Sequence, residues 1–247
     1  MKRLLAVIAH PDDEAFGPGG TLARYAGSGV EIHLLCATKG EAGENSSIKY
    51  QVSSIKENEK INIKNIRERE LLKSAEILRI KKVEFLEFVD GTLCNAVYHQ
   101  LAKKIRDKIN RFRPQVVITN ERRGISGHLD HIAVSMVATY AFLKTKVADK
   151  LYYYCLPEEI RDKRMDNYFI YFPEGYKQKE ITTRVDYSKF WKRKMQAMIV
   201  HKSQWKDVAA LLTRFAKWPK VDYFILQYHR GIKVNLPETD LFAGVKE

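Results

Sequence analysis

Cysteine is scarce in this chain. Cys36, Cys94 and Cys155 are far apart and odd in number. With no CxxC pair among them they offer neither a disulfide framework nor a structural zinc knot. Cys36 and Cys155 fall in apolar stretches and read as small core residues, which favours a reducing compartment. Long apolar runs are missing as well. Nothing approaches the ~20 residues of a membrane-spanning helix. Lys2-Arg3 precedes an apolar run, but His10-Pro11-Asp12-Asp13 cuts it short of the roughly 7–15 residues of a secretory core. The expectation is a soluble, cytoplasmic protein with no membrane span. Internal repeats and low-complexity linkers are also absent, so the 247 residues are read as a single domain, 1–247. Acidic residues are the minority, 30 against 43 Lys and Arg, for a formal charge of +13. Such a balance can serve nucleic acid, anionic lipid or an acidic substrate. The cations are scattered, however, and the densest runs, 60–69 and 161–164, interleave acids. No helix-turn-helix, zinc-finger or RNP pattern accompanies them, so no specific nucleic-acid partner is expected.

What the chain does have is alternation. Apolar runs at 3–9, 30–37, 83–89, 115–119 and 151–156 read as strands. Helical spacing separates them, first in a pattern opened by Gly17-Pro18-Gly19-Gly20 that runs through Leu22, Tyr25 and Ala26 and ends near 27–29, then at 66–78, 97–112 and 131–143. Beyond residue 160 the pattern is looser, with strands expected at 181–185 and 223–228 and helices at 190–201 and 205–215. Residues 42–62, rich in Ser, Asn, Lys and Glu, have no clear period and read as a loop or flap. Strands alternating with helices imply an α/β fold, Rossmann-like, with a mostly parallel sheet and helices on both faces.

Two clusters of histidine and carboxylate stand at strand exits, where ligands bind in such sheets. One is His10-Pro11-Asp12-Asp13-Glu14; the other is His128-Leu129-Asp130-His131. His10 and Asp13 lie three residues apart across a turn, so both can face one ion. His131 supplies a third ligand from the second loop. Two histidines and a carboxylate suit Zn²⁺ with an open position for water; Fe²⁺ takes the same donors. Asp12, pointing away from its neighbour, is the candidate base for that water. His128 is placed to stabilise an oxyanion. Asp130 is placed to orient an imidazole. An Asp-Asp-Glu run at a helix start can also be simple dipole chemistry. The joint placement of both clusters is what favours a metal-dependent hydrolase.

The two motifs together resemble the LmbE/PIG-L family of zinc-dependent N-deacetylases. The likeness extends to Thr38-x-Gly40-Glu41, Arg67-x-x-Glu70-Leu71, Phe85-Leu86, Asp90-Gly91, Lys194-x-x-Ala197 and His201-x-Ser203-Gln204. It implies zinc on His10, Asp13 and His131, Asp12 as general base, and His128 as the electrophilic or acid partner. It implies Asp130 as support for His128 or the metal site. Arg67 and Asp90 would face an amino-sugar substrate of N-acetylglucosamine type, and Glu14 would hold the turn. Departures are Leu129, where the family often has proline, the glycine-rich loop 123–127, and the Lys/Asn-rich segment 44–62. They bear on substrate identity rather than on the metal.

Two other classes compete. One is a different 2-His-1-carboxylate metalloenzyme acting on another amide or with O₂. The other is a basic, non-catalytic protein that binds anions or nucleic acid. Within the deacetylase reading, Lys39, Arg67, Arg122 and Arg123 near strand exits suggest an anionic substrate. Tyr152–Tyr154, Trp191 and Trp205 read as core and packing aromatics, with a sugar-stacking wall as the alternative. A homo-oligomer stays open.

Overall fold

In β1 (Arg3–Ile8) side chains leave the strand on alternate sides, as the pleat requires. Leu4, Ala6 and Ile8 enter one core; Leu5, Val7 and Ala9 enter another. A strand buried on both faces needs a continuous apolar run and layers of helix on either side. The computed structural model, which describes residues 1–43, 63–160 and 171–245, has that architecture. The further elements are α1 (Asp13–Phe16), α2 (Gly19–Gly27), β2 (Glu31–Cys36), α3 (Ile63–Leu78), β3 (Lys82–Phe85) and α4 (Tyr98–Phe112). They continue with β4 (Val116–Asn120), α5 (Gly124–Gly127), α6 (Leu129–Lys144), β5 (Lys150–Cys155), β6 (Thr183–Asp186), α7 (Trp191–Ile199), α8 (Trp205–Lys217) and β7 (Val221–His229).

The sheet runs β3-β2-β1-β4-β5-β7-β6. The first five strands are parallel; β7 is antiparallel to β5, and β6 to β7. Residues of α2, α3, α7 and α8 pack on one face, and those of α4 and α6 on the other. The chain winds outward from β1 through β2 to β3, then returns to lay β4 on the other flank of β1. The crevice above β1 and β4 is the point where such sheets take their ligands.

Expected and observed elements differ mostly by a few residues. The strand expected to reach Val89 ends at Phe85. Glu87 adopts φ +62°, a left-handed turn that takes the chain out of the ladder. The helix expected from His131 starts at Leu129, because the side chain of His128 accepts the Asp130 amide and caps it. Most of the expected flap at 42–62 lies outside the described residues. Among the described residues, no helix is long and apolar enough to cross a membrane.

Candidate active site

The first motif is built by its own backbone. Asp13 starts α1, and its Oδ2 accepts the amides of Ala9 and His10 at 3.1 and 3.0 Å. Asp12 is held at φ 110°, costly for a non-glycine residue. Its amide is tied to Glu14 Oε2 at 3.0 Å, and its carbonyl accepts the amides of Ala15 and Phe16. The strained turn aims the Asp12 and Asp13 carboxylates in different directions.

The second motif arrives over β4. His131 Nδ1 donates to the Gly124 carbonyl at 3.1 Å, which leaves a lone pair on Nε2. That Nε2 lies 3.2 Å from His10 Nδ1 and 3.1 Å from Asp13 Oδ1. His10 Nε2 meets Asp90 Oδ1 at 2.9 Å and Asp130 Oδ2 at 3.1 Å, so its N–H points there and its Nδ1 also presents a lone pair. His131 Nε2 thus stands close to two other acceptors, which is unfavourable unless a cation or proton sits between them. Both measured separations approach the edge of a tetrahedron with metal–ligand bonds of about 2 Å. The donor set fits zinc, and nitrogen with carboxylate oxygen also fits Fe²⁺. Among the described residues two sets of ligand atoms lie mutually within 4.8 Å: the ring nitrogens of His10, His128 and His131, and His10 with the carboxylates of Asp90 and Asp130.

Charge follows the same logic. Burial pulls the pKa of His10 down, but its bonds to Asp130 and Asp90 and the charge of Asp13 outweigh it and raise the value to about 10. Burial pulls Asp13 up, yet the neighbouring His131 and His10 hold it far below the usual carboxylate range. The locality therefore favours positive charge. His128 is driven the other way, to about 4, by burial and then by the charges of His10 and His131. Its Nδ1 accepts the Asp130 amide at 3.2 Å, so the neutral ring carries its proton on Nε2 and is a donor.

Asp12 is raised to about 7, chiefly by burial and then by Asp13 and Glu14, with Arg67 pulling against them. Arg67 is 4% exposed, although it comes from a Lys/Arg-rich helix. Its guanidinium donates to Pro11 O at 2.7 Å, Gly40 O at 2.9 Å and Asp12 Oδ2 at 3.0 Å. Gly40, at φ +71°, leaves the space: a Cβ there would lie 2.5 Å from the guanidinium. Asp90 Oδ2 is 4.0 Å from Arg67 Nη1 and accepts the Ala42 amide at 3.1 Å. Asp130 accepts Gly91 N at 2.7 Å and Leu93 N at 3.0 Å besides His10, so the imidazole it orients is that of His10. Beneath them Glu14, fully buried, takes Ser74 Oγ at 2.5 Å and His201 Nε2 at 2.7 Å.

All eight expected site residues meet here. His10, Asp12, Asp13, Arg67, Asp90, His128 and His131 line a cavity of about 530 Å³, with Asp130 just behind His10. Of the basic residues expected to greet an anion, Arg67 lines the cavity, while Lys39 and Arg123 are engaged elsewhere. Lys39 bridges Glu68 and Glu87, each at 2.9 Å, and Arg123 donates to the carbonyls of Glu174 and Gly175. Tyr152 and Tyr153 are buried core, Tyr154 borders the cavity, and Trp191 packs on Phe215. Sequence reasoning missed Asn120 and the apolar side of the cavity formed with α8. A strand-ending asparagine was the available signal for the first. For the second, the helical stripe of Asp207, Leu211, Arg214 and Phe215 was visible, but not what it faces.

Residues 5–142 match the family described as PIG-L, GlcNAc-PI de-N-acetylase. A 1D-myo-inositol 2-acetamido-2-deoxy-alpha-D-glucopyranoside deacetylase of Thermobifida fusca is 30% identical, covering 98% of this chain and 99% of its own length. A mycothiol S-conjugate amidase of Streptomyces coelicolor is 28% identical over 99% of this chain and 98% of its own. Among solved structures, the 4-carboxy-2-hydroxymuconate hydratase GalB of Pseudomonas putida superposes with a TM-score of 0.67. It is 20% identical and covers 95% of this chain and 100% of its own. That last likeness concerns fold alone; one scaffold carries more than one chemistry.

Proposed function

Because this chain belongs to the PIG-L family, we propose that it is a metal-dependent N-deacetylase that hydrolyses the acetamide of an N-acetylglucosamine-type substrate. The observation that carries the reading is that His10 Nδ1 and Asp13 Oδ1 each lie within 3.2 Å of His131 Nε2, in a cavity that the raised Asp12 carboxyl also lines. His10, Asp13 and His131 would hold Zn²⁺, or Fe²⁺ with the same donors. Bound there, the ion would acidify a water and polarise the amide carbonyl.

The chain's own groups do the rest. Asp12, with a pKa near neutrality, takes a proton from the attacking water and returns it to the departing amine. Arg67 holds that carboxylate in place through a fork shared with two backbone carbonyls. His128, neutral and protonated on Nε2, donates to the carbonyl oxygen as negative charge develops on it. Asp90 and Asp130 fix the tautomer of His10. In this reading Arg67 and Asp90 also border the bound sugar. We further propose one domain over 1–247, since strands from early and late in the chain share a single sheet. The unpaired Cys36, Cys94 and Cys155 fit a reducing cytoplasm.

The test is acetate release from a panel of N-acetylglucosaminides by metal-stripped enzyme, zinc-restored enzyme and zinc-loaded Asp12→Asn. Zinc is expected to restore turnover, and Asp12→Asn to lose about 10²–10⁴ in kcat while still binding zinc. Stoichiometric zinc binding with no acetate from any sugar would overturn the deacetylase assignment.

A further inference from the structure

The cavity is larger than the corner that holds the reacting groups. At about 530 Å³ it falls in the range, about 300–1,000 Å³, that accepts drug-sized ligands, whereas a single hexosamine needs only the lower end. Its two sides also differ. Towards α3 the lining is polar, with Arg67 and Asp90. Elsewhere the lining carries a group of apolar side chains, Phe16, Leu156, Leu211, Phe215 and Trp218.

Asn120 stands at the junction. Thr119 pairs with Val7, and Asn120 pairs with Tyr154, so Asn120 lies beside Ile8 and two residues from the metal corner at His10. By strand alternation it shares the face of Ile118, Ile8 and Tyr154, all members of the apolar core. An amide at such a position is 4% exposed, and its Nδ2 has no partner among the described residues. An unpaired buried donor is a standing cost that a bound acceptor removes.

From these observations we infer that the cavity holds a second subsite, for an apolar alkyl or aryl aglycone. Asn120 Nδ2 donates to the oxygen that joins this aglycone to the amino sugar. The inference rests on the deacetylase reading and narrows its substrate to amphipathic glycosides. Lys206, Asp207 and Arg214 border the same wall, so an anionic aglycone is the competing occupant, and it belongs in the test.

Acetate release should be compared for methyl, hexyl, S-hexyl and carboxypentyl N-acetylglucosaminides with the zinc-loaded enzyme and its Leu211→Gln and Asn120→Ala variants. Each fully buried methylene adds about fourfold in affinity, so hexyl should exceed methyl at least tenfold in kcat/KM, mainly through KM. Leu211→Gln should shrink that ratio to about threefold or less. The wild type should prefer the O-hexyl over the S-hexyl glycoside, sulfur being the poorer acceptor, and Asn120→Ala should erase that preference. Equal turnover of methyl and hexyl glycosides would overturn the subsite while leaving the deacetylase standing. Preference for the carboxypentyl glycoside would overturn its apolar character. Failure of every glycoside, methyl included, would overturn both readings.

Discussion

Asp130→Asn replaces one oxygen by an NH₂ group and changes almost no volume. In the native protein Asp130 Oδ1 accepts Leu93 N, while Oδ2 accepts Gly91 N and the His10 N–H. An asparagine must turn its NH₂ towards one of these sets. Facing Gly91 and His10 it would oppose two donors; facing Leu93 it opposes one. The second arrangement is cheaper and leaves one buried amide without an acceptor, at a cost of about 1–3 kcal/mol. The bond to His10 survives in it, but to a neutral oxygen, with roughly half the strength of the charge-assisted one. Asp90 still reaches His10 Nε2 at 2.9 Å and retains part of the orientation. Weaker support for a ligating histidine lowers metal affinity by about 10–100-fold, and the surviving Asp90 contact places this variant near tenfold. Competition against a chromophoric chelator measures the affinity, and urea denaturation of metal-free protein measures the stability. Adding Asp90→Asn should weaken zinc further, by more than the product of the two single effects. Stability loss with unchanged zinc affinity in the double variant would refute the idea that these carboxylates act through His10.

The remaining predictions concern groups around that corner. His201 is buried, which disfavours its charge, but Glu14 outweighs burial and raises its pKa. The protonated ring therefore contributes stability in full below about pH 6.5, and this contribution fades as pH rises through the folded-state value. His201→Leu should cost about 3–5 kcal/mol at about pH 6 by leaving the buried Glu14 carboxylate without its cation, and the wild type should lose stability as pH rises from there through the folded-state value of His201, a loss the variant lacks at that position; wild-type stability that rises over that range contradicts it. Arg67→Met should lower kcat by about 10–100-fold through a loosened Asp12, and Arg67→Lys should not rescue it, because one ammonium cannot reproduce a fork onto Pro11, Gly40 and Asp12. Full activity in Arg67→Lys would show that charge alone suffices.

Parallel strands buried on both faces must be apolar throughout, so β1, β2, β4 and β5 announce themselves within a residue or two. The end of β3 does not, since the left-handed turn at Glu87 carries no glycine to mark it. The two motifs were legible because metal ligation needs histidine and carboxylate at short, fixed spacing. Arg67 was singled out by the family resemblance, while its local setting is a Lys/Arg-rich helix; its burial depends on Gly40 and Pro11, contributed by loops 27 and 56 residues away along the chain. Asn120 and the wall of α8 were illegible for the same reason, as nothing local to either says that they share a cavity. Local periodicity and motif chemistry determined the fold class and which histidines and carboxylates stand at the strand exits, because both are properties of neighbours along the chain. Only the tertiary structure decided which carboxylate serves which histidine, which cation sits on Asp12 and what shape the cavity takes, because those contacts close over 55 to 187 residues and depend on how helices dock on the sheet.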